Sequence, residues 1–198
     1  MTRSDATARL VRHLRDHAVV VSLGHPAYDL YVAGDRPQNF YTWGSMGLTS
    51  SIALGLAMAR PDRAVVAIDG DGSLLMNLGT LATIGCCRPP NLRVVVWDNE
   101  LYGTTGGQPT ATATGADLAA AAAAMGLASV TARTAEELDR SLDEAEARPQ
   151  ATVIVVKVEE SAPRGKPPLD CVFIKQRFMA AIGAPEGGTV GSARRGSP

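Results

Sequence analysis

Continuous apolar runs alternate along the chain with stretches whose apolar positions recur every three to four residues. Ala18-Val-Val-Val-Ser-Leu23, Ala64-Val-Val-Ala-Ile-Asp69, Leu92-Arg-Val-Val-Val-Trp97 and Ala151-Thr-Val-Ile-Val-Val-Lys-Val158 read as strands buried on both faces. Gln38–Trp43 and Leu127–Thr131 read as two more. Among the helical patterns, Asp5–His17 is amphipathic on Leu10, Val11 and Leu14, and a small-residue helix follows Gly44-Ser-Met-Gly47 as far as Arg60, where Pro61 stops it. Ser73–Cys87 carries Leu74, Leu75, Leu78, Leu81 and Ile84 at helical spacing before Pro89-Pro90. Asp117–Met125 is Ala-rich and closed by Gly126, and Ala135–Arg148 opens on a capping-box pattern, Thr134-Ala-Glu-Glu137. Cys171–Ile182 offers Phe173, Ile174, Phe178 and Met179 as one apolar face. Strands alternating with helices predict an α/β fold of three layers, αβα, around a mostly parallel central sheet. One domain is expected over residues 1–182, with Pro163-Arg-Gly-Lys-Pro-Pro168 as an internal linker and a disordered tail over 183–198.

Composition narrows the function classes. At 45% hydrophobic and 20% charged residues the chain has an ordinary globular balance, and a net charge of −1 gives no clustered basic surface for nucleic acid or an anionic membrane. The start, Met-Thr-Arg-Ser-Asp, has no apolar signal segment, and Ala116–Ala124 is too short and weakly apolar to span a bilayer, so a cytoplasmic location is expected. Three cysteines, Cys86, Cys87 and Cys171, fit neither a disulfide framework nor an iron–sulfur cluster; buried thiols are expected.

The chemistry concentrates between Gly70 and Gly107. A buried strand running into Gly70-Asp71-Gly72-Ser73 delivers a carboxylate and a small-residue turn to a helix start, a combination suited to a metal-bound phosphate. Asp71 is expected to be accessible there, and the next strand ends in Asp98-Asn99, which places an amide oxygen at a neighbouring strand end. The loop that follows, Glu100 to Pro109, has three glycines and no apolar period, and reads as a functional loop that orders around a ligand. His25, after the first strand, is either an exposed helix-start residue or a polar group facing a ligand; Asn77 either points inward or is solvated. A dinucleotide fingerprint is excluded by the missing third glycine, and no Gly-Lys-Ser/Thr phosphate loop is present.

Gly-Asp-Gly followed, after a helix and a strand, by Asn resembles the signature of thiamine diphosphate (ThDP) enzymes. The resemblance implies that Asp71, Asn99 and the backbone carbonyl of Leu101 hold Mg2+ on the cofactor's diphosphate, with Gly70, Gly72, Ser73, Tyr102 and Gly103 beside it. Many members have Asn where this chain has Asp98. Gly44-Ser-Met46-Gly47 is similar to the family turn in which the first glycine's carbonyl meets the aminopyrimidine and the apolar residue wedges under the bent cofactor; for Met46 the alternative is ordinary core packing. Thr104, Thr105 and Gln108 would face the substrate, with His25, Met46 and Thr105 as the candidate catalytic groups.

Family members also need a Glu on the aminopyrimidine, supplied by a separate pyrimidine-binding (PYR) domain for which this chain has no room. The resemblance therefore implies the diphosphate-binding subunit of a split enzyme, completed by a PYR-domain α subunit in an α2β2 or higher assembly. Glu100 is not that Glu, and the small-residue helix before Arg60 is expected to pack deep, at a subunit contact. Asn39 to Leu48, Thr105 to Thr110 and Pro167 to Phe178 resemble the sulfopyruvate and phosphonopyruvate decarboxylases, with Tyr102-Gly103-Thr104 closer to the former. A small anionic 2-oxoacid is the implied substrate. The alternatives are a phosphonopyruvate decarboxylase subunit, an acetolactate synthase-like carboligase, and a non-catalytic regulatory subunit retaining the fold.

Overall fold

The computed structural model describes residues 1–162 and 164–183. Six parallel strands form its centre: β1 (Ala18–Val21), β2 (Asn39–Tyr41), β3 (Val65–Gly70), β4 (Leu92–Asp98), β7 (Ala128–Ala132) and β8 (Thr152–Lys157), in the order β2-β1-β3-β4-β8-β7. The register places Ile68 beside Val21 and Val95, so the carboxyl ends of β1, β3 and β4 lie level with one another. Successive residues feed opposite cores. Val65, Ala67, Val94, Val96, Val153 and Val155 pack beneath α3 (Thr49–Ala59), α5 (Thr80–Cys87) and α6 (Leu118–Ala124). Val66, Ile68, Val95, Trp97, Ile154 and Val156 pack beneath α1 (Arg3–His13), α2 (His25–Gly34) and α7 (Ala135–Ala147). Both faces of each strand are thus apolar and covered, as the unbroken runs in the sequence require. The expected three-layer architecture is the one observed, and no helix among the described residues is long and apolar enough to cross a membrane.

Several local expectations are corrected. Ser73–Cys87 is not one helix: α4 (Asp71–Met76) ends where Asn77 leaves helical geometry at φ −140°, and α5 starts afresh at Thr80. The half-buried Asn77 amide donates to Ser51 Oγ on α3 at 3.2 Å; an Asn that finds a partner off its own helix, followed by Gly79, removes the local preference to continue. The helix after Gly47 begins only at Thr49, because Gly44, Ser45 and Gly47 all adopt positive φ. One face of α3 is deep, with Ala53 and Ala57 buried, while Leu48, Gly55 and Met58 are exposed. The loop after Asn99 holds a short antiparallel pair, β5 (Leu101–Tyr102) with β6 (Gln108–Pro109).

The three thiols are exposed rather than buried, since Cys86 and Cys87 fall on the outer side of α5 while Leu81 and Ile84 take its inner side. On α8 (Cys171–Ala181) the apolar face is narrower than expected. Ile174 and Phe178 are buried where the helix covers the β2 edge, Met179 is half-buried, and Phe173 stays exposed beneath the Arg177 guanidinium, 5.5 Å from its ring centre. The capping box at the start of α7 is formed by Thr134 and Glu137. Most of the tail expected over 183–198, and Pro163 of the linker, lie outside the described residues.

α5 and α6 meet at Gly85, where a Cβ would stand 2.1 Å from the Met125 carbonyl oxygen. Helix propensity alone would make Gly85→Ala stabilising by about 1 kcal/mol. Displacing a backbone carbonyl costs about 1–3 kcal/mol. The expected net result is a lower urea midpoint for Gly85→Ala; a higher one would mean that the α5–α6 contact yields freely.

Candidate active site

The chain leaves β1 toward β2 through α2 and returns on the other side of β1, through α3, to β3. Strand order therefore reverses at β1, and a crevice opens beyond the carboxyl ends of the strands there, the place where open α/β sheets bind ligands. A cleft of about 360 Å³ lies at this point. Its walls are the turn after β1 with Ser22 and His25, the turn after β3 with Gly70, Asp71, Gly72 and Ser73, and the segment after β4 with Asn99, Leu101, Tyr102, Gly103, Thr104 and Thr105. Met46 closes one side. Gly44, two residues earlier, is exposed and outside the lining, as is Gln108, which pairs with Thr105 at 3.3 Å on the outer ribbon.

Asp71 opens α4 and is buried, 2% exposed, rather than accessible, because the chain beyond β6 folds back over it. Thr110 Oγ1 donates to Asp71 Oδ2 at 2.6 Å. Thr112 Oγ1 sits between that same oxygen, at 3.2 Å, and Asp98 Oδ1, at 2.8 Å, so one hydroxyl proton is shared by two carboxylates. Burial first lifts the Asp71 carboxyl above its usual range; the Thr110 bond only partly offsets this, and the nearby charge of Asp98 adds to the lift. Lys157 offsets the charge of Asp98, 2.8 Å away.

Asn99 and Leu101 are brought together by Glu100, whose φ of 64° turns the chain sharply between them. Asn99 Oδ1 accepts the Leu101 N–H at 3.2 Å. The carbonyls of Glu100 and Tyr102 accept from Thr110 and Gly107 across the ribbon, which turns the intervening Leu101 carbonyl to the other side. The Glu100 side chain reaches Lys157 at 2.7 Å and is not part of the cleft lining. The Tyr102 ring lies over Gly72, where a Cβ would be only 2.4 Å from the ring. This approach closes the cleft on one side and is open only to glycine.

Ser73, expected beside a phosphate, has its hydroxyl already engaged: it accepts the Gly47 N–H at 3.0 Å and the Ser22 hydroxyl at 3.3 Å. It thereby ties the Met46 turn to α4 and to the end of β1. Beneath it Asp69 is fully buried, pushed up by that burial, and held by Ser50 at 3.1 Å and the Gly70 N–H at 3.0 Å. His25 does face the cleft, with Nδ1 2.9 Å from Glu160 Oε1.

Two participants are absent from the sequence reading. Glu160 follows β8, and Arg3 opens α1 and also lines the cleft; their ion pair is 2.7 Å long across nearly the whole chain. Glu160 could have been found from its place just past a buried parallel strand. Arg3 carries no such signal.

The donor set is all oxygen: a carboxylate, an amide and a backbone carbonyl, the ligands of a hard divalent cation. Two carboxylates sharing one hydroxyl proton leave negative charge that such a cation would offset, so the residues present fit Mg2+ on a diphosphate. Residues 26–156 match the thiamine pyrophosphate enzyme family, C-terminal TPP binding domain. The chain belongs to the thiamine pyrophosphate enzymes. It is 41% identical, over 91% of its length and 96% of the relative's, to the sulfopyruvate decarboxylase subunit beta of Methanocaldococcus jannaschii. To the phosphonopyruvate decarboxylase of Streptomyces viridochromogenes it is 40% identical over 95% of its own length but 48% of the relative's. Among solved structures, benzoylformate decarboxylase from Polynucleobacter necessarius shares the fold with a TM-score of 0.66 at 22% identity, over 85% of this chain and 34% of that one.

A carboxyl raised on folding binds its proton more readily in the folded than in the unfolded chain, so it lowers stability as pH rises from the ordinary carboxylate range through its folded pKa. Asp71→Asn removes that contribution while leaving an oxygen for Thr110. The cofactor-free variant is expected to melt above wild type at neutral pH, with the difference shrinking as the solution is acidified. Melting curves that coincide at every pH would show that the Asp71 charge is not under strain.

Proposed function

We propose that this chain is the diphosphate-binding subunit of a split ThDP-dependent 2-oxoacid decarboxylase that acts on sulfopyruvate, giving the aldehyde and CO2. The observation that carries the reading is the convergence of Asp71, Asn99 and Leu101 on one cleft, in a chain that matches a separately encoded beta subunit over 96% of that relative's length. In this reading Asp71, the Asn99 amide oxygen and the Leu101 carbonyl hold Mg2+ on the diphosphate. Gly70, Gly72, Tyr102 and Gly103 form the walls beside it, and Ser73 contributes by fixing the Met46 turn. Met46 props the cofactor into its bent form and the Gly44 carbonyl meets its aminopyrimidine. ThDP, when bound, supplies the electron sink for cleavage of the bond to the departing carboxylate.

The chain's own residues then orient and shield the substrate. His25 donates through Nδ1 to Glu160, which leaves Nε2 as an acceptor for a hydroxyl or other donor of the substrate, and Thr104 and Thr105 offer hydroxyl groups to its anionic head. The Glu required on the aminopyrimidine comes from a PYR-domain α subunit, so neither chain is active alone. Phosphonopyruvate is the second reading, favoured by the 40% identity over 95% of the chain. Both substrates are 3-substituted pyruvates with an anionic head.

The purified chain is expected to release no CO2 from sulfopyruvate by itself and to gain the activity stoichiometrically with its partner, while ThDP and Mg2+ tighten the complex because they bind only the assembled cleft. Full activity of the isolated chain would overturn the split-enzyme reading. Faster turnover of phosphonopyruvate would decide for the second substrate, and preference for unsubstituted pyruvate would overturn the anionic-substrate reading alone. For Met46→Ala, turnover should fall further than ThDP affinity, since diphosphate and metal still anchor the cofactor. Unchanged turnover would assign Met46 to packing.

A further inference from the structure

Glu160, which borders the cleft through His25, Asn99 and Arg3, is a carboxylate for which the roles above leave no function of its own. Its two oxygens receive donors from three distant parts of the chain. Oε1 accepts Arg3 Nη1 at 2.7 Å and His25 Nδ1 at 2.9 Å, and Oε2 accepts the Asn99 Nδ2 amide. Arg3 cannot move to relax this arrangement. It is buried, with Nε on Asp29 at 2.7 Å and Nη2 on the Ser161 carbonyl at 2.8 Å. A guanidinium held on three sides fixes Oε1, and a planar carboxylate with one oxygen fixed must turn the other to Asn99. Gly103 closes over the contact, where a Cβ would stand 3.2 Å from both Glu160 Oε2 and His25 Nδ1. Both Glu160 oxygens are thereby occupied as acceptors.

A side-chain amide has nearly the same shape either way round, but only one end can ligate a cation. Resting on the Mg2+ seat proposed above, we infer that Glu160 is a positioning residue: it takes the Asn99 NH2 and so commits the Asn99 oxygen to the cation. With the amide reversed, an oxygen would face a carboxylate, and an NH2 would face both the Leu101 N–H and the metal. The same carboxylate sets the His25 tautomer, with the proton on Nδ1. Three groups from separate elements are thereby oriented by one acceptor.

This assignment makes an ordering that neither a packing role nor a charge role produces. In Glu160→Gln the amide oxygen is drawn to Arg3 and His25, so its NH2 faces the Asn99 NH2 and drives that amide into the wrong orientation. Glu160→Ala imposes no orientation, and the metal itself can select the oxygen. The more conservative variant should therefore bind metal worse. Mg2+ affinity would be measured at saturating ThDP on the full chain assembled with its partner, by calorimetry or by the fluorescence of Trp97 in the cleft wall. Glu160→Gln is expected to weaken Mg2+ at least ~10-fold, in the range for outer partners of metal ligands. Glu160→Ala should weaken it less, although thermal melting should rank Glu160→Ala as the less stable of the two. Equal losses would assign Glu160 a charge effect only, and a larger loss in Glu160→Ala a packing effect only; either overturns the inference. If Glu160→Ala does not fold, Glu160→Asp replaces it, because a retained carboxylate still accepts from Asn99 and should hold Mg2+ above the Glu160→Gln level. Asp71→Asn run in parallel separates the two readings: lost Mg2+-dependent ThDP binding there, with Glu160→Gln unaffected, overturns the role of Glu160 alone, whereas wild-type binding in Asp71→Asn overturns the Mg2+ seat and this role with it.

Discussion

Three carboxylates, Asp69, Asp71 and Asp98, are buried at the carboxyl ends of the adjacent strands β3 and β4. In a sheet covered on both faces this is the one place where chain polarity, helix starts and loops leave room for charge, and most of the site can be understood as the means of holding that charge there. Asp69 is held by the Ser50 hydroxyl and the Gly70 N–H. Asp98 has Lys157 from the neighbouring strand. Asp71 has the hydroxyls of Thr110 and Thr112, the second shared with Asp98, and no ion pair among the described residues, so a cation would offset its charge.

The segment from Asn99 to Thr112 serves the same constraint from the other side. Its two threonines reach back to Asp71 and Asp98, its short ribbon turns the Leu101 carbonyl away from the ladder, and its Tyr102 ring settles on the bare backbone of Gly72. Donors for the buried acids and acceptors for a cation thus come from one stretch of chain. The ion pair of Arg3 with Asp29 and Glu160 then ties the first helix and the segment after the last strand to this stretch through Asn99. Of these charges Arg3 and Asp29 are buried, and removing one partner of a buried pair costs about 3–5 kcal/mol because the other charge is left unpaired. Arg3 and Glu160, far apart in sequence, are therefore both tied to the cleft.

In the proposed assembly the cleft is one half of a site. Met46 stands at its edge on a turn with three residues at positive φ, anchored by the bond from the Gly47 N–H to Ser73. A non-glycine residue in that region, as Ser45 is, costs roughly 1–2 kcal/mol and persists only where its surroundings fix it. A prop for a bent cofactor has to be fixed in this way before the cofactor arrives. Next to it the outward face of α3, with Leu48, Gly55 and Met58 exposed, continues the same surface away from the cleft.

The layer architecture, the strand cores and the meeting of Asp71, Asn99 and Leu101 at one cleft were legible in the sequence, because each depends on local facts: unbroken apolar runs, residues at strand ends, and a spacing shared with a family. His25 was legible as a residue at a strand end, though not with the partner that orients it. Lost from the sequence were features set by contacts between elements. Asn77 breaks a continuous helical pattern because Ser51, on another helix, offers a partner for its amide. Cys86 and Cys87 face solvent because the inner side of α5 is taken by Leu81 and Ile84. The burial of Asp71, the engagement of the Ser73 hydroxyl, and the Arg3–Glu160–Asn99 connection join residues that are remote in sequence. Periodicity and motif describe what a residue offers to its own segment. Which donor meets which acceptor is decided only when the sheet order brings the strand ends level, and that is why Asp71, Asn99 and Leu101 could be singled out from the sequence while Glu160, which meets Asn99 and His25, could not.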